Sequence, residues 1–178
     1  MNNDNPKQAA EKLAEIVAAF DVAMLVSVDG AGSLRARPMS IANDDEATRP
    51  PHRFTFVASR HASLVSSMRA QADICVTMQD ANRYVCLGGR ATTQDNHARA
   101  ERLWSKPMER WFPNGPSDPD IVLIDCDMDF AEYWDVTGTA GLRFMLEAGK
   151  ALVQGRAVND VKAGAHGELT GSRMHVNA

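Results

Sequence analysis

Ser59, Arg60 and Ser63 stand in SRHAS, where the apolar run RFTFVAS gives way to ASLVSSMRA. If a strand runs into a helix there, the helix start offers free N–H groups. Hydroxyls, an arginine and the helix dipole beside those groups would make an anion site. Arg37, in RARPMS, brings a planar guanidinium able to hold a phosphate through paired hydrogen bonds. The same residues also fit a plainer assignment, with Ser59 as a helix cap and the arginines solvated.

The second group with chemical potential is aromatic: Trp104, Trp111, Phe112, Tyr133 and Trp134. Trp104 and Trp111 are seven apart and fall on one face of any continuous helix, the usual spacing of core residues. Trp134, in AEYWD, either stacks on a planar ligand or fills the interior. The stretch WFPNGPSDPD poses the same choice between a helix anchor before a proline-rich turn and the wall of a binding site.

Other chemistries lack their signatures. There is no Walker A spacing, GxGxxG, GxSxG or HExxH. The five histidines show neither HxxxH nor HxH spacing, so no metal site is expected. Cys75, Cys86 and Cys126 lack CxxC spacing and are odd in number, which fits small buried thiols in a reducing cytoplasm. His61, beside Arg60, is the nearest group for proton work at neutral pH, although a solvated histidine is the default.

These residues need elements to position them. Asn5, Pro6 and Gln8 mark a helix start, and Leu13, Ile16, Val17 and Phe20 follow at helical spacing. VAMLVSV and SLRARPMSI, separated by DGAG, read as a hairpin, with Pro38 at an edge or bulge. After the loop NDDEATRPP, RFTFVAS is a third strand and ASLVSSMRA a short helix. DICVTMQ and RYVCLGGRATT pair across DANR. NHARAERLWSKPMERWF reads as a helix that Pro107 kinks or breaks. IVLIDCDMD and FAEYWDV make seven strands, and GLRFMLEAGKALVQG is an amphipathic helix ending at Gly155. Strands without regular helix alternation favour an antiparallel barrel or sandwich over a doubly wound sheet. Residues 1–155 are expected to form one domain, and 156–178 a tail that is either a late add-on strand or disordered.

The 178 residues are 44% hydrophobic and 24% charged, enough for one core, and the net charge of -4 disfavours nucleic acid as a partner. No apolar run approaches the length of a membrane span, and the polar start lacks a signal core, so a soluble, cytoplasmic protein is expected.

Taken in order, RARPMS, RFTFVASRHAS, YVCLGGRATT and ERLWSKPMERWFPNGPSDPDIVLIDCDMDFAEYWD resemble one family. It is the general stress protein branch of the pyridoxamine 5'-phosphate oxidase-like, FMN-binding split barrels. The likeness covers about residues 8 to 155, and the block from LWS to AEYWD is its most specific part. It implies a mainly β, α+β fold: a six-stranded antiparallel split β-barrel with flanking helices, working as a homodimer with flavin at the subunit interface. It also implies that Arg37, Pro38, Met39 and Ser40 run beside the flavin, with Val57 and Ala58 on the other side. Ser59, Arg60 and Ser63 would take the phosphate, Tyr84 would reach in from the partner subunit, and Trp111 and Trp134 would lie near the cofactor, FMN or FAD. Leu64 stands where the family commonly has a lysine, which leaves the phosphate to arginine, hydroxyls and backbone N–H groups. No arginine after Trp134 matches those that grip substrate in pyridoxamine phosphate oxidases, so vitamin B6 oxidation is not expected. The resemblance implies either a flavin-dependent oxidoreductase with an unknown small substrate and electron donor, or a flavin-binding or sensing module without turnover.

Overall fold

The computed structural model describes residues 6–42, 51–137 and 165–170. Helix α1 (Pro6–Ala18) leads into the hairpin β1 (Val22–Val28) and β2 (Leu34–Ser40). β3 (Arg53–Ser59) and α2 (Ser63–Ala70) follow, then β4 (Asp73–Gln79), β5 (Arg83–Gln94) and the short α3 (His97–Arg102). A 3-10 turn (Lys106–Arg110), β6 (Ile121–Asp135) and β7 (Ala165–Thr170) complete the described elements. The expected helix GLRFMLEAGKALVQG, the cap at Asn5 and most of the loop NDDEATRPP lie outside the described residues.

All strand pairings are antiparallel, in the order β2-β1-β4-β5-β6-β3, with β7 added to the far half of β6. The sheet therefore has seven strands rather than six, and it does not close by a ladder. Among the described residues, its end strands meet at the bridge Ile41–Phe56 and the bond from Ala42 N–H to the Thr55 carbonyl, 2.8 Å. The runs IVLIDCDMD and FAEYWDV form the single strand β6. The break seen in its alternation is a bulge, where Gly88 faces Phe130 but Gly89 faces Met128, leaving Asp129 unpaired.

Alternation assigns the faces. On β1, Ala23 and Leu25 point inward, joined by Val76 and Met78 of β4, Val85 and Leu87 of β5, and Ala131 and Tyr133 of β6. Ala9, Leu13, Ile16 and Val17, one stripe of α1, close this core from one side, and Leu64, Val65 and Met68 of α2 complete it. A smaller core of Ala42, Ala100, Leu103, Phe112, Ile121 and Leu123 lies on the opposite side of β6, which is why residues 121–126 are buried on both faces.

Two polar contacts pin the elements. Arg99 donates to both Asp125 oxygens, at 2.8 and 2.7 Å, and to the Thr55 hydroxyl at 2.7 Å, tying α3 to β3 and β6. Arg99→Met leaves a largely buried carboxylate without its cation. It is expected to cost about 3 kcal/mol in urea unfolding, and an unchanged midpoint would show that the pair contributes nothing.

Lys12 Nζ lies 2.8 Å from Asp135 Oδ2 and ties α1 to β6. Burial pushes the Asp135 carboxyl up, but the Lys12 ammonium and the Thr137 hydroxyl and N–H outweigh it and hold it below the usual range. A lowered folded-state value stabilises the fold above the unfolded carboxylate pKa of about 3.9 and loses that contribution as pH falls through the folded value. Unfolding free energies measured downward from about pH 5 should fall with a limb that Lys12→Met makes shallower.

Candidate functional site

β2 and β3 diverge after their single bridge. If the register continued, Met39 would face Ala58 and Arg37 would face Arg60, but no ladder forms there. The gap thus sets the edge carrying Arg37, Pro38, Met39 and Ser40 opposite the edge carrying Val57, Ala58 and Ser59. An edge strand is also where proline, lacking its N–H, is tolerated.

Strand alternation divides the group. Arg37 and Met39 turn inward, Arg37 pairing in register with Leu25 and Met39 packing on the main core, while Pro38 and Ser40 face outward. Ala58 is buried in the main core and Val57 packs on the smaller one, so their side chains point to opposite sides of β3 and its backbone borders the unladdered edge. Ser59 is half-buried at the end of β3.

At the mouth of the gap, Arg37 Nη2 donates to the Ser63 hydroxyl at 3.1 Å. Ser63 opens α2, whose first N–H groups have no acceptor within the helix. Arg37 Nη1 is buried without a hydrogen-bond partner. A buried guanidinium nitrogen left unpaired is costly, so its natural complement is an acceptor oxygen at the same helix start. Anion-site and cap assignments are separated here: the residue before α2 is Ala62, with no side-chain cap, and Ser59 Oγ instead accepts from His61 N–H at 3.3 Å.

Arg60 is committed elsewhere. Its guanidinium reaches Asp95 at 2.9 Å and the Pro119 carbonyl at 3.2 and 3.3 Å, and the Asp95 carboxylate raises its pKa. In this geometry it braces the loop before β6 rather than facing the gap with Arg37. His61 is exposed and sits 3.3 Å from Asp120 Oδ1. Leu64 is 2% exposed, part of the core.

The aromatics separate sharply. α3 ends at Arg102, before Pro107, so Trp104 and Trp111 do not share a continuous helix face. Phe112 is buried and meets Trp104 with ring centroids 6.4 Å apart, anchoring the smaller core. Trp111 is 77% exposed. In WFPNGPSDPD, therefore, Phe112 is the anchor and Trp111 the free surface, held by a turn in which Asp118 accepts from Asp120 N–H at 2.9 Å and Asn114 Nδ2 at 3.1 Å.

Tyr84 and Trp134 are direct cross-strand partners on the outer face, at the end of β6 opposite Ile121, where Ser59 pairs. Thirteen positions of β6 separate the two ends, roughly 40 Å of extended strand. Across the sheet the separation is smaller: Pro38, Met24, Thr77 and Cys86 form one row, so Tyr84 stands two residues along and three strand spacings, roughly 14 Å, from the β2 edge. The sequence offered little sign of His166, whose ring stacks on Trp134 at 5.3 Å and whose Nε2 is 3.0 Å from Glu132 Oε1. Its signal was the alternation of AHGELT, in which Gly167 is obligatory because a Cβ there would lie 2.5 Å from the Tyr133 ring.

Among the described residues there is no cluster of three metal-ligating side chains and no helix long and apolar enough to cross a membrane. The family described as pyridoxamine 5'-phosphate oxidase like matches residues 8–159, and the chain belongs to that family. Solved structures share the fold. One is the general stress FMN/FAD binding protein from Xanthomonas citri, at 22% identity and TM-score 0.62, covering 75% of this chain and 92% of that one. Another, from Clostridium acetobutylicum, is related to general stress protein 26 of B. subtilis, at 20% identity and TM-score 0.61, covering 74% and 91%. General stress protein 26 from Bacillus anthracis is similar at 15% identity and TM-score 0.59, covering 72% and 92%. No curated protein matches.

Proposed function

We propose that the chain is a flavin-binding general stress protein that holds FMN between two copies of itself and acts as a flavin-dependent oxidoreductase on a small substrate. The observation that carries this reading is the buried, unpartnered Arg37 Nη1 beside Ser63 at the start of α2. A phosphate there would accept from the guanidinium, the hydroxyl and the first N–H groups of α2. The apolar gap between Pro38–Ser40 and Val57–Ser59 is the matching place for a planar ring system, in keeping with the split barrel that the family resemblance implies.

A second copy completes the site. Val22, Met24, Leu34, Tyr84 and Trp134 are large, exposed and all on the outer face of the sheet. Large exposed apolar side chains gathered on one face of a sheet suit an interface. Covering it with an identical chain by a twofold axis would bring Tyr84 and Trp134 of one protomer toward the gap of the other. Trp111, exposed on its turn, is assigned to the rim of the same site.

When bound, flavin supplies the electron transfer itself. The chain's part is to grip the phosphate, present apolar walls that exclude water and fix the ring against the β2 edge. A second reading, binding or sensing without turnover, is favoured by Leu64: the position at which the family commonly carries a lysine is core here, so the phosphate grip rests on Arg37 and neutral donors. Loose discrimination between FMN and FAD follows from such a grip. Titration with FMN, FAD and riboflavin, followed by flavin fluorescence, tests binding. FMN bound no more tightly than riboflavin would sink the phosphate site. Reoxidation of the reduced, bound flavin by small acceptors no faster than that of free FMN would leave only the binding module.

A further inference from the structure

Cys75 and Cys86 are far apart in the sequence pattern but meet on the outer face of the sheet. Cys75 of β4 pairs in register with Gly88, and Cys86 of β5 with Thr77, so the two thiols lie on a diagonal. Their Sγ atoms are 3.5 Å apart. Gly88 makes this possible: with no side chain opposite Cys75, the Cys75 sulfur has room to lean toward Cys86, while Phe130 covers the glycine. Both thiols are half-buried, whereas Cys126 is buried at a distance in the main core.

Burial pushes the Cys75 thiol up to about 12, and its hydrogen bond with Cys86 acts in the same direction. The raised value keeps Cys75 a thiol at neutral pH, and either sulfur can be the donor in their contact. A thiolate pair gripping a soft cation at neutral pH does not fit that state. Two sulfurs already in contact suit a two-electron oxidation to a disulfide.

We propose that Cys75 and Cys86 form an oxidisable dithiol site whose oxidant is hydrogen peroxide, with Cys86 oxidised first and Cys75 resolving. The Cys86 sulfur bonds to one peroxide oxygen and the O–O bond breaks. The departing oxygen leaves as water, carrying the Cys86 proton, and Cys86 becomes a sulfenic acid. The Cys75 sulfur then bonds to the Cys86 sulfur and the S–O bond breaks. The hydroxyl leaves as a second water with the Cys75 proton. Two thiols and one hydrogen peroxide yield one disulfide and two waters. A diagonal pair is wider at Cβ than a directly opposed one. Closing to a bond of about 2.05 Å therefore draws β4 and β5 together locally, and the bond should reopen readily in a dithiol reductant.

The test treats the intact chain with stoichiometric hydrogen peroxide, then denatures and alkylates it and maps the peptides by mass spectrometry. Untreated protein should show all three cysteines alkylated. Treated protein should show only Cys126 alkylated, with the Cys75 and Cys86 peptides joined and released by dithiothreitol. In Cys86→Ser, Cys75 should stay alkylatable under the same dose, and in Cys75→Ser, Cys86 should stop at the sulfenic acid, trapped by dimedone. Because the pair lies on the face assigned to the second copy, the same dose is applied to the Met24→Asp, Leu34→Asp chain, and full alkylation after peroxide in both proteins, a disulfide between two chains, or one involving Cys126 would overturn the proposal. None of these outcomes depends on flavin binding.

Discussion

An Arg37→Ala chain is expected to bind FMN roughly ten- to a hundredfold more weakly than the parent and riboflavin about equally well. A charge-assisted hydrogen bond contributes about 1.5–3 kcal/mol, and Arg37 is the cation that its own bond to Ser63 holds at the helix start. The effect should fall on the phosphate alone, because riboflavin lacks one and Met39, Val57 and Ala58 are untouched. Removing a buried, half-satisfied guanidinium should not weaken the fold. Arg37→Lys should recover only part of the loss, since an ammonium offers a point charge and not a fork. Fluorescence titration of the three proteins with both ligands measures this directly. Equal loss for FMN and riboflavin would mean that Arg37 shapes the wall and not the phosphate grip.

The other large effect is on stability and separates two adjacent glycines. At Gly89 a Cβ would collide with the Asp127 carbonyl oxygen and lie 2.7 Å from Met128 Cα, all of it backbone of the neighbouring strand. Nothing there can swing aside, so Gly89→Ala must part β5 from β6 at the bulge. It is expected to cost about 3 kcal/mol or more and to lower Tm by about 10 °C. At Gly88 the added Cβ would meet Phe130 carbons at 3.6 Å, ordinary contact, and Gly88→Ala should stay within about 1 kcal/mol of the parent. Thermal melts of the pair decide it. Equal tolerance of both would mean the strands pass farther apart at the bulge than the structure has them.

Much of this fold is legible from alternation and turn chemistry. DICVTMQ has the bounds of β4, and the DGAG turn is closed as its residues suggest, with Asp29 accepting from Ala31 and Ser33 N–H at 2.9 Å each. NHARAERLWSKPMERWF, read as a helix that Pro107 kinks or breaks, is indeed broken, but earlier, after Arg102, because side-chain periodicity does not report where the backbone stops. Leu103 and Trp104 are needed at the smaller core, and the chain turns at Leu103 before Pro107 can act. The bulge at Asp129 misleads in the opposite way: it shifts the inward set of β6 from Cys126 and Met128 to Ala131 and Tyr133, so one strand reads as two. At the candidate site, Arg37 and Ser63 share a chemistry visible in their types. Arg60 shares it too, yet turns to Asp95, because a nearby carboxylate decides where a guanidinium points and lies far along the sequence. The meeting of Cys75 with Cys86 follows from register and from Gly88, neither of which cysteine spacing encodes.

The central claim is that each flavin is shared between two chains, gripped by Arg37 of one and faced by Tyr84 and Trp134 of the other. Sedimentation velocity of the protein with FMN, recorded at a wavelength where only flavin absorbs, tests it most directly. The flavin signal should travel with a dimer at one FMN per chain, and Leu34→Asp with Met24→Asp on the outer face should shift the protein to monomer and release the flavin together. FMN sedimenting with a monomer at undiminished affinity would contradict the account.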